Sequence, residues 1–441
     1  MKKVEPRTLS GFMELLPSDQ LKFNKIKNTI EETYQQFGFL PLDTPIIEAS
    51  EVLLAKAGGE TEKQIYQIKR GNSDLTLRFD LTVPLAKYVA KNYGQLNFPF
   101  RRYQIGKVYR GERAQKGRYR EFYQCDIDII GDGSLNIIND AEIPNIIYNL
   151  FNNMGLTNFV IKINNRKVLN GFLQALNLTN QSSDIMRLID KKDKISKESL
   201  INELENLNID PNIINKLLTF ININGTNNEI INQLQTLDIN NELWQEGIAE
   251  LETVYQYSIQ FGIKENNIQI DLGIARGLDY YTGTVYETFL TDYLELGSIC
   301  SGGRYDDLAE YYTDKKLPGV GISIGLTRLF TNLNELNLLK EEPINVSDVL
   351  IIPMTNNYEY IINCYNKLME NNIYTQIFYE QRSIKSIINY AINLNIPYVI
   401  FIGDDEIKNK TVTIKNIKTF EQKTMDINNI IKEVHNEQRN I

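Results

Sequence analysis

The chain has 441 residues and a formal net charge of −9, with 42% hydrophobic and 23% charged residues. That length supplies ample core and predicts two or three domains, and the acidic balance excludes a globally basic nucleic-acid binder while leaving room for a local basic surface. No run approaches the roughly 20 apolar residues of a membrane helix, so no membrane partner is expected. The N-terminal stretch "MKKVEPRTLSGFMELLPSD" has no apolar segment of the signal-peptide kind. Three scattered cysteines (Cys125, Cys300, Cys364) offer neither metal spacing nor a disulfide framework. They point to a reducing, cytoplasmic setting. His435 is the only histidine, which rules out a multi-histidine metal site and argues against a histidine-based triad. Any chemistry must use carboxylates, arginines, tyrosines or the substrate's own groups.

Residues 1 to about 160 mix strand-like and helical runs. In "LTLRFDLTVPLAKYV" (75–89), Arg78, Asp80 and Thr82 alternate with Leu77, Phe79 and Leu81, a period that predicts a strand. Two readings stand there: an ordinary amphipathic strand, or Asp80 and Thr82 together holding an ammonium group. Next, runs 103–110 and 118–130 flank "GERAQKG", and Gly111 with Gly117 predicts a β-hairpin. Arg118, Arg120, Gln124 and Asp128 share one parity, as Arg110 and Val108 do on the partner run, while Tyr119, Tyr123, Ile127 and Ile129 occupy the packing parity. Arginine forks suit phosphate and carboxylate. A solvated polar face is the alternative, and the alignment of four functional types on a glycine-bracketed hairpin favours a binding face.

From about 170 to 255 the sequence becomes helical and rich in Asn, Ile and Leu. Leu200, Leu204 and Leu207 keep helical spacing, and Asp210-Pro211 reads as an N-cap followed by proline at the first helical position. This zone is expected to be an inserted helical subdomain. Strand-like sequence returns from about 265 to 335. There "IQIDLGIA" leads into "RGLDYYTGTVYE" (276–287), which gathers Arg276, Asp279, Tyr280 and Tyr281 between Gly277 and Gly283. An ordinary strand and turn and a polar cluster for a small ligand are equally open on that stretch. "GVGISIGLTRLF" (319–330) predicts a glycine-rich strand passing at Gly325 into a helix with Arg328 in its first turn. It fits neither the P-loop nor the dinucleotide fingerprint. A linker at 336–348 precedes alternating strands and helices from 349 to 434, which predict a separate α/β domain with a largely parallel core.

Together these stretches carry a family resemblance. "FGFLPLDTPIIE" (37–48), "VYRGERAQKGRYREFYQCDIDIIG" (108–131) and "GVGISIGLTRLF" resemble, in order, motifs 1, 2 and 3 of class II aminoacyl-tRNA synthetases. "RGLDYYTGTVYE" and "SGGRYDDL" (301–308) are similar to the two signatures particular to histidyl-tRNA synthetases. The resemblance implies an α+β catalytic domain built on an antiparallel sheet over residues 1–335, interrupted by the helical insertion at about 170–255. It also implies an α/β anticodon-binding domain over 349–441. The implied reaction joins L-histidine to ATP as histidyl-adenylate, with Mg²⁺, and then transfers histidine to the 3′ end of tRNA(His), in a homodimer formed through motif 1 around Pro45. Position by position, it assigns Arg276 and Arg110 to the α-phosphate and Arg328 to the γ-phosphate. Glu112 and Arg118 fall to the rest of the ATP site. Asp80 takes the α-ammonium group beside Thr82 and Gln124, and Asp128, Tyr281 and Tyr280 line the imidazole pocket. Arg113, Gln115 and Lys116 become candidates for contact with the tRNA acceptor end. No dedicated all-protein metal cage is expected, since phosphates supply most ligands of such a Mg²⁺. The rival reading is a catalytically silent, histidine-sensing regulatory relative. Such relatives generally lack the C-terminal domain, whereas this chain keeps Arg110, Arg276, Arg328 and the C-terminal stretch.

Overall fold

A computed structural model describes residues 3–55, 64–113, 117–190, 192, 195–274, 280–339 and 345–438. They fall into two units, 1–14 with 25–338 and 15–24 with 339–441. In chain order the first unit contributes β1 (Leu40–Pro41), β2 (Ile47–Ala49), β3 (Gln67–Arg70), β4 (Ser73–Leu77), β5 (Phe100–Tyr109), β6 (Glu121–Ile130), β7 (Phe159–Asn165), β8 (Ile268–Ile270), β9 (Thr284–Leu290), β10 (Cys300–Tyr305) and β11 (Gly319–Gly325). β2, β4 and β3 form a small antiparallel sheet. The others make one eight-stranded sheet in the order β1-β5-β6-β11-β10-β9-β7-β8. Every pair from β5 through β7 is antiparallel, and only the outer pairs β1–β5 and β7–β8 are parallel.

The period-two pattern of β6 explains how this sheet acquires two unlike faces. Cys125, Ile127 and Ile129 are fully buried on one side, where Tyr34 of the helix Pro17–Gln36 donates its hydroxyl to the Cys125 carbonyl at 3.1 Å. Gln124, Asp126 and Asp128 project to the other side and are also buried, at 1 to 7% exposure. A strand polar on one face yet buried on both marks a lined cavity rather than a solvated surface.

The predicted strand through Asp80 and Thr82 is corrected here: β4 stops at Leu77, and Thr82 opens the helix Thr82–Asn92. The cause is local, since Asp80 Oδ1 accepts from Val83 N at 3.0 Å and Pro84 sits in the first turn, both start signals for a helix. The strand read from "IQIDLGIA" is likewise short, ending at Ile270.

Between β7 and β8 run the helices Arg166–Ala175, Ser182–Ile189, Lys197–Glu205, Pro211–Ile221, Asn227–Thr236 and Glu242–Gln260. Asp210 caps the fourth of them by accepting from Asn212 N at 2.8 Å. Leu200 and Leu204 are buried. The asparagine bias of the chain has a backbone role: Asn177, Asn208, Asn337, Asn372 and Asn395 all take positive φ of 53 to 59° within three residues of a helix end. Asparagine tolerates that left-handed conformation better than other side-chain-bearing residues.

The second unit holds β12 (Val349–Pro353), β13 (Thr375–Ile377), β14 (Tyr398–Ile402), β15 (Val412–Asn416) and β16 (Gln422–Met425), ordered β13-β12-β14-β15-β16. Alternate residues of β12 feed two cores. Val349 and Ile351 pack with Ile361, Leu368 and Ile430, and Leu350 and Ile352 pack with Ile387 and Ala391. Helices therefore cover both faces, as a sheet apolar on both sides requires. The expected largely parallel core is mixed: β13, β12 and β14 are parallel, and β15 and β16 are antiparallel. β16 and the helix Asp404–Asn409 had too little apolar periodicity to be read from sequence.

Candidate active site

The polar face of β6 forms the floor of a cavity of about 440 Å³. At its deep end Asp128 makes a 2.6 Å ion pair with Arg102 of β5, whose side chain is 0% exposed. Tyr305, at the end of β10, donates its hydroxyl to Asp128 Oδ1 at 2.6 Å. The register places Gly321 of β11 opposite Asp128, and a Cβ there would overlap Asp128 Oδ1. Gly303 of β10 serves the neighbouring wall in the same way, because a Cβ would come within 2.9 Å of the Tyr281 ring. The glycines at these two positions thus make room for the protein's own site groups.

Tyr280 and Tyr281 form an edge-on pair at 4.9 Å, with Tyr280 edge-on to Tyr305 at 5.8 Å. Arg166 holds this segment in place by donating to the Tyr281 carbonyl at 2.9 Å. Asp80 closes the pocket just ahead of the helix Thr82–Asn92 at 2% exposure. Oδ2 of Asp80 is buried without a hydrogen-bond partner, leaving an acceptor for a cationic ligand.

Burial dominates the electrostatics of the floor. It raises the Asp80 and Asp128 carboxyls to about 6 and Asp126 to about 7, with Arg102 pulling all three back towards the charged form. Burial also raises the Tyr281 hydroxyl, aided by the charge on Asp128, so it remains a neutral donor and acceptor. Three carboxylates against one fully buried guanidinium make a pocket suited to a small cation.

The outer part of the cavity is lined by arginines. Arg110, just past β5, donates Nε to the Phe79 carbonyl at 3.0 Å and stands 5.1 Å over the Phe122 ring. Arg118 pairs loosely with Glu112 at 3.5 Å. Arg328, in the first turn of the helix Leu326–Glu335, donates to the Leu296 carbonyl. Planar forks set around one opening are fit to grip a polyphosphate.

Asp80, Thr82, Arg110, Glu112, Arg118, Gln124, Asp128, Tyr280, Tyr281 and Arg328 therefore converge on one cavity, although they span almost 250 residues of sequence. Arg113 is exposed and outside its lining. Arg276, Gln115 and Lys116 lie outside the described residues. Arg120, assigned by parity to the binding face, is turned away: it precedes β6, donates Nε to the Glu112 carbonyl at 3.0 Å and packs on Gly11. Tyr119 shows the reverse, lining the cavity with its hydroxyl 3.0 Å from Thr331 Oγ1. Strand parity fails at both positions because the strand starts only at Glu121.

Sequence reasoning missed Arg102, Asp126, Glu287, Tyr305 and Ser323. Asp126 shared the parity of Gln124 and Asp128, a signal in plain view. Arg102 stands in the lysine- and arginine-rich stretch 101–120, whose members divide. Arg101 pairs with Glu142 at 2.7 Å, Lys107 with Glu121 at 2.7 Å and Arg102 with Asp128, all as part of the fold.

An antiparallel sheet whose hairpin and glycine-rich strand-to-helix turn aim arginines at a carboxylate-floored cavity is the catalytic architecture of class II aminoacyl-tRNA synthetases. Comparison with known proteins narrows the class. A family model for histidyl-tRNA synthetase matches residues 11–329, and one for an anticodon-binding domain matches 348–437. A histidine–tRNA ligase of Clostridium tetani is 56% identical over 439 residues, covering 99% of this chain and 100% of that protein. Another, of Finegoldia magna, is 49% identical, covering 98% and 100%. The crystal structure of histidyl-tRNA synthetase from Nostoc sp. PCC 7120 superposes with a TM-score of 0.87 at 36% identity, covering 99% and 100%. The chain belongs to the histidyl-tRNA synthetase family, and the two relatives named here are histidine–tRNA ligases.

Proposed function

We propose that this cavity joins histidine to ATP and that the chain then charges tRNA(His). The observation that carries the proposal is the convergence of a carboxylate-and-tyrosine floor with an arginine-lined mouth in one cavity. In this reading Asp80, with Thr82 and Gln124, takes the α-ammonium group, and Asp128 with Tyr281 and Tyr280 takes the imidazole ring. The histidine carboxylate attacks the α-phosphorus and diphosphate leaves. The substrate supplies its own nucleophile, so no protein base is needed. Arg110 and Arg276 stabilise charge growing on the α-phosphate, Arg328 holds the γ-phosphate, and Glu112 with Arg118 completes the nucleotide site. Mg²⁺ bound with ATP would be held mainly by phosphate oxygens and would supply positive charge to the diphosphate. Glu112 and Glu287, both on the cavity wall, are the carboxylates that would complete its shell. The terminal ribose hydroxyl of the tRNA then attacks the adenylate carbonyl and AMP leaves.

Arg113, Gln115 and Lys116 contact the acceptor end in this scheme, and residues 349–441 hold the anticodon arm. The chain works as a cytoplasmic homodimer joined through 37–48. The catalytic domain extends over 1–335 with its insertion at about 170–255, followed by a linker at 336–348. No observation favours the silent regulatory reading. The test is ATP-dependent charging of a tRNA(His) transcript by the full chain. Charging with histidine is the expected result, and histidine binding without any charging would restore the regulatory reading.

A further inference from the structure

Asn164, Asn165 and Arg166 stand where β7 passes into the first helix of the insertion, and all three are buried. None of the three is among the cavity-lining residues. Buried amides and guanidinium groups must spend their donors on protein acceptors. Asn164 Nδ2 donates to the Ile274 carbonyl at 2.9 Å and to the Leu272 carbonyl at 3.3 Å. Arg166 donates its backbone N–H to the Gly283 carbonyl at 2.9 Å and its Nη1 to the Tyr281 carbonyl at 2.9 Å. The junction thus grips the chain on either side of position 276, at Ile274 and again at Tyr281.

The last helix of the insertion, Glu242–Gln260, anchors this junction in turn. Asn165 Oδ1 caps the first helix by accepting from Lys167 N at 2.9 Å, while Asn165 Nδ2 donates to Glu250 Oε2 at 2.7 Å. Lys167 adds ion pairs with Glu250 at 2.6 Å and Glu246 at 2.7 Å. Gly247 lets the two helices meet closely, since a Cβ there would come within 2.6 Å of Val168 N. Arg166 therefore reaches Tyr281 from a fixed base. A peptide unit is planar, so a bond to the Tyr281 carbonyl orients the whole 281–282 unit. That restricts the direction of the Tyr281 side chain, whose ring is already confined by the space at Gly303.

We propose that Arg166 is a positioning residue for the histidine pocket: through the Tyr281 carbonyl it sets where the Tyr281 hydroxyl meets the imidazole ring, and the helical insertion supplies the base from which it does so. Arg166 touches no substrate atom itself. The proposal rests on the reading of Tyr281 as an imidazole contact.

The test is steady-state ATP–diphosphate exchange with histidine and ATP varied in turn, on the full-length protein and five variants: Tyr281→Phe, Arg166→Ala, Arg166→Lys, Glu250→Ala and the double variant Arg166→Ala/Tyr281→Phe. Tyr281→Phe and Arg166→Ala are each expected to raise the KM for histidine about tenfold, the scale of one lost hydrogen bond. The KM for ATP stays unchanged. Arg166→Lys, which keeps one donor, recovers part of the loss. Glu250→Ala raises the KM for histidine about threefold, the scale of a partly exposed ion pair. The double variant is expected to match Tyr281→Phe alone, because a residue that works through the Tyr281 hydroxyl has nothing left to position. Arg166→Ala adding its full effect to Tyr281→Phe would overturn the proposal, as would an equal rise in both KM values or a wild-type KM for histidine in Arg166→Ala. A wild-type KM in Glu250→Ala would overturn the part given to the insertion. Where Arg166→Ala fails to fold, Arg166→Lys alone and combined with Tyr281→Phe carries the same test. A Tyr281→Phe variant with the wild-type KM for histidine would instead remove the Tyr281 hydroxyl from the histidine pocket, and the proposal with it.

Discussion

The floor and the mouth of the cavity hold one arginine–carboxylate pair each, and the two pairs could hardly differ more. Arg102 and Asp128 meet at 2.6 Å with side chains 0 and 4% exposed, and Tyr305 adds a further hydrogen bond. Arg118 and Glu112 meet at 3.5 Å with side chains 53 and 23% exposed. Desolvating the first pair is costly and tolerable only while each partner stays satisfied. The second is solvated, screened and worth little to the fold. The floor is thus set before any ligand arrives and is suited to discriminating one amino acid, whereas the mouth keeps its guanidinium groups available for phosphates that arrive with the nucleotide. Changes in the floor should cost both histidine affinity and stability, while changes in the mouth should cost catalysis or ATP affinity and leave stability alone.

The strongest way to break this comparison is at Arg110. Arg110→Ala is expected to lower the rate of histidine-dependent diphosphate exchange by about 10²–10³-fold, the scale of one lost transition-state donor, with no change in thermal unfolding. Arg110→Lys should restore only part of the rate, because a point charge does not replace a planar fork. A large drop in melting temperature for Arg110→Ala would move it from the mouth to the floor. Next comes Asp128→Ala, expected to raise the KM for histidine about a hundredfold with little effect on ATP. It should also destabilise the chain by roughly 3–5 kcal/mol, since Arg102 would be left buried and unpaired. Urea unfolding beside kinetics checks both halves, and a stable variant with altered KM values for both substrates would contradict the assignment.

A smaller effect is expected from pH. Burial raises Asp80, Asp126 and Asp128 from 3.8 to about 6, 7 and 6. A raised carboxyl binds its proton more tightly folded than unfolded, so its stabilising contribution is complete at acid pH and is lost as pH rises through about 6 to 7. The melting temperature of the free protein should climb from pH 8 to pH 6, and Asp128→Asn should flatten that climb. A melting temperature that falls over this range in the wild type would contradict the floor electrostatics. The smallest effect belongs to Arg118→Ala, expected to raise the KM for ATP a few-fold and to leave unfolding unchanged. A loss of stability there would erase the distinction between the two pairs.

The same contrast explains what the sequence disclosed. The β5–β6 hairpin was legible because glycines bracket its turn and apolar residues alternate along β6, and the strand-to-helix turn at Gly325 because glycines give way abruptly to a helical pattern. Asp210-Pro211 announced its helix through capping chemistry alone. Arg110, Gln124, Asp128 and Arg328 were legible because they stand within such local patterns. The supporting groups were not. Tyr305 reaches Asp128 across 177 positions of sequence, and no local periodicity encodes that pairing. Arg102 looked like any other cation in its run, since burial is a property of the folded sheet. Asp80 lines the cavity but not from the expected strand, because three alternating residues outweighed the helix-start signals of an aspartate and a proline.

The central claim is that the carboxylate floor admits histidine and that the arginine-lined mouth activates it. ATP–diphosphate exchange measured with the purified chain and each of the twenty amino acids in turn tests this most directly. The account predicts exchange with histidine alone. Exchange supported by a different amino acid, or none with histidine, would contradict it.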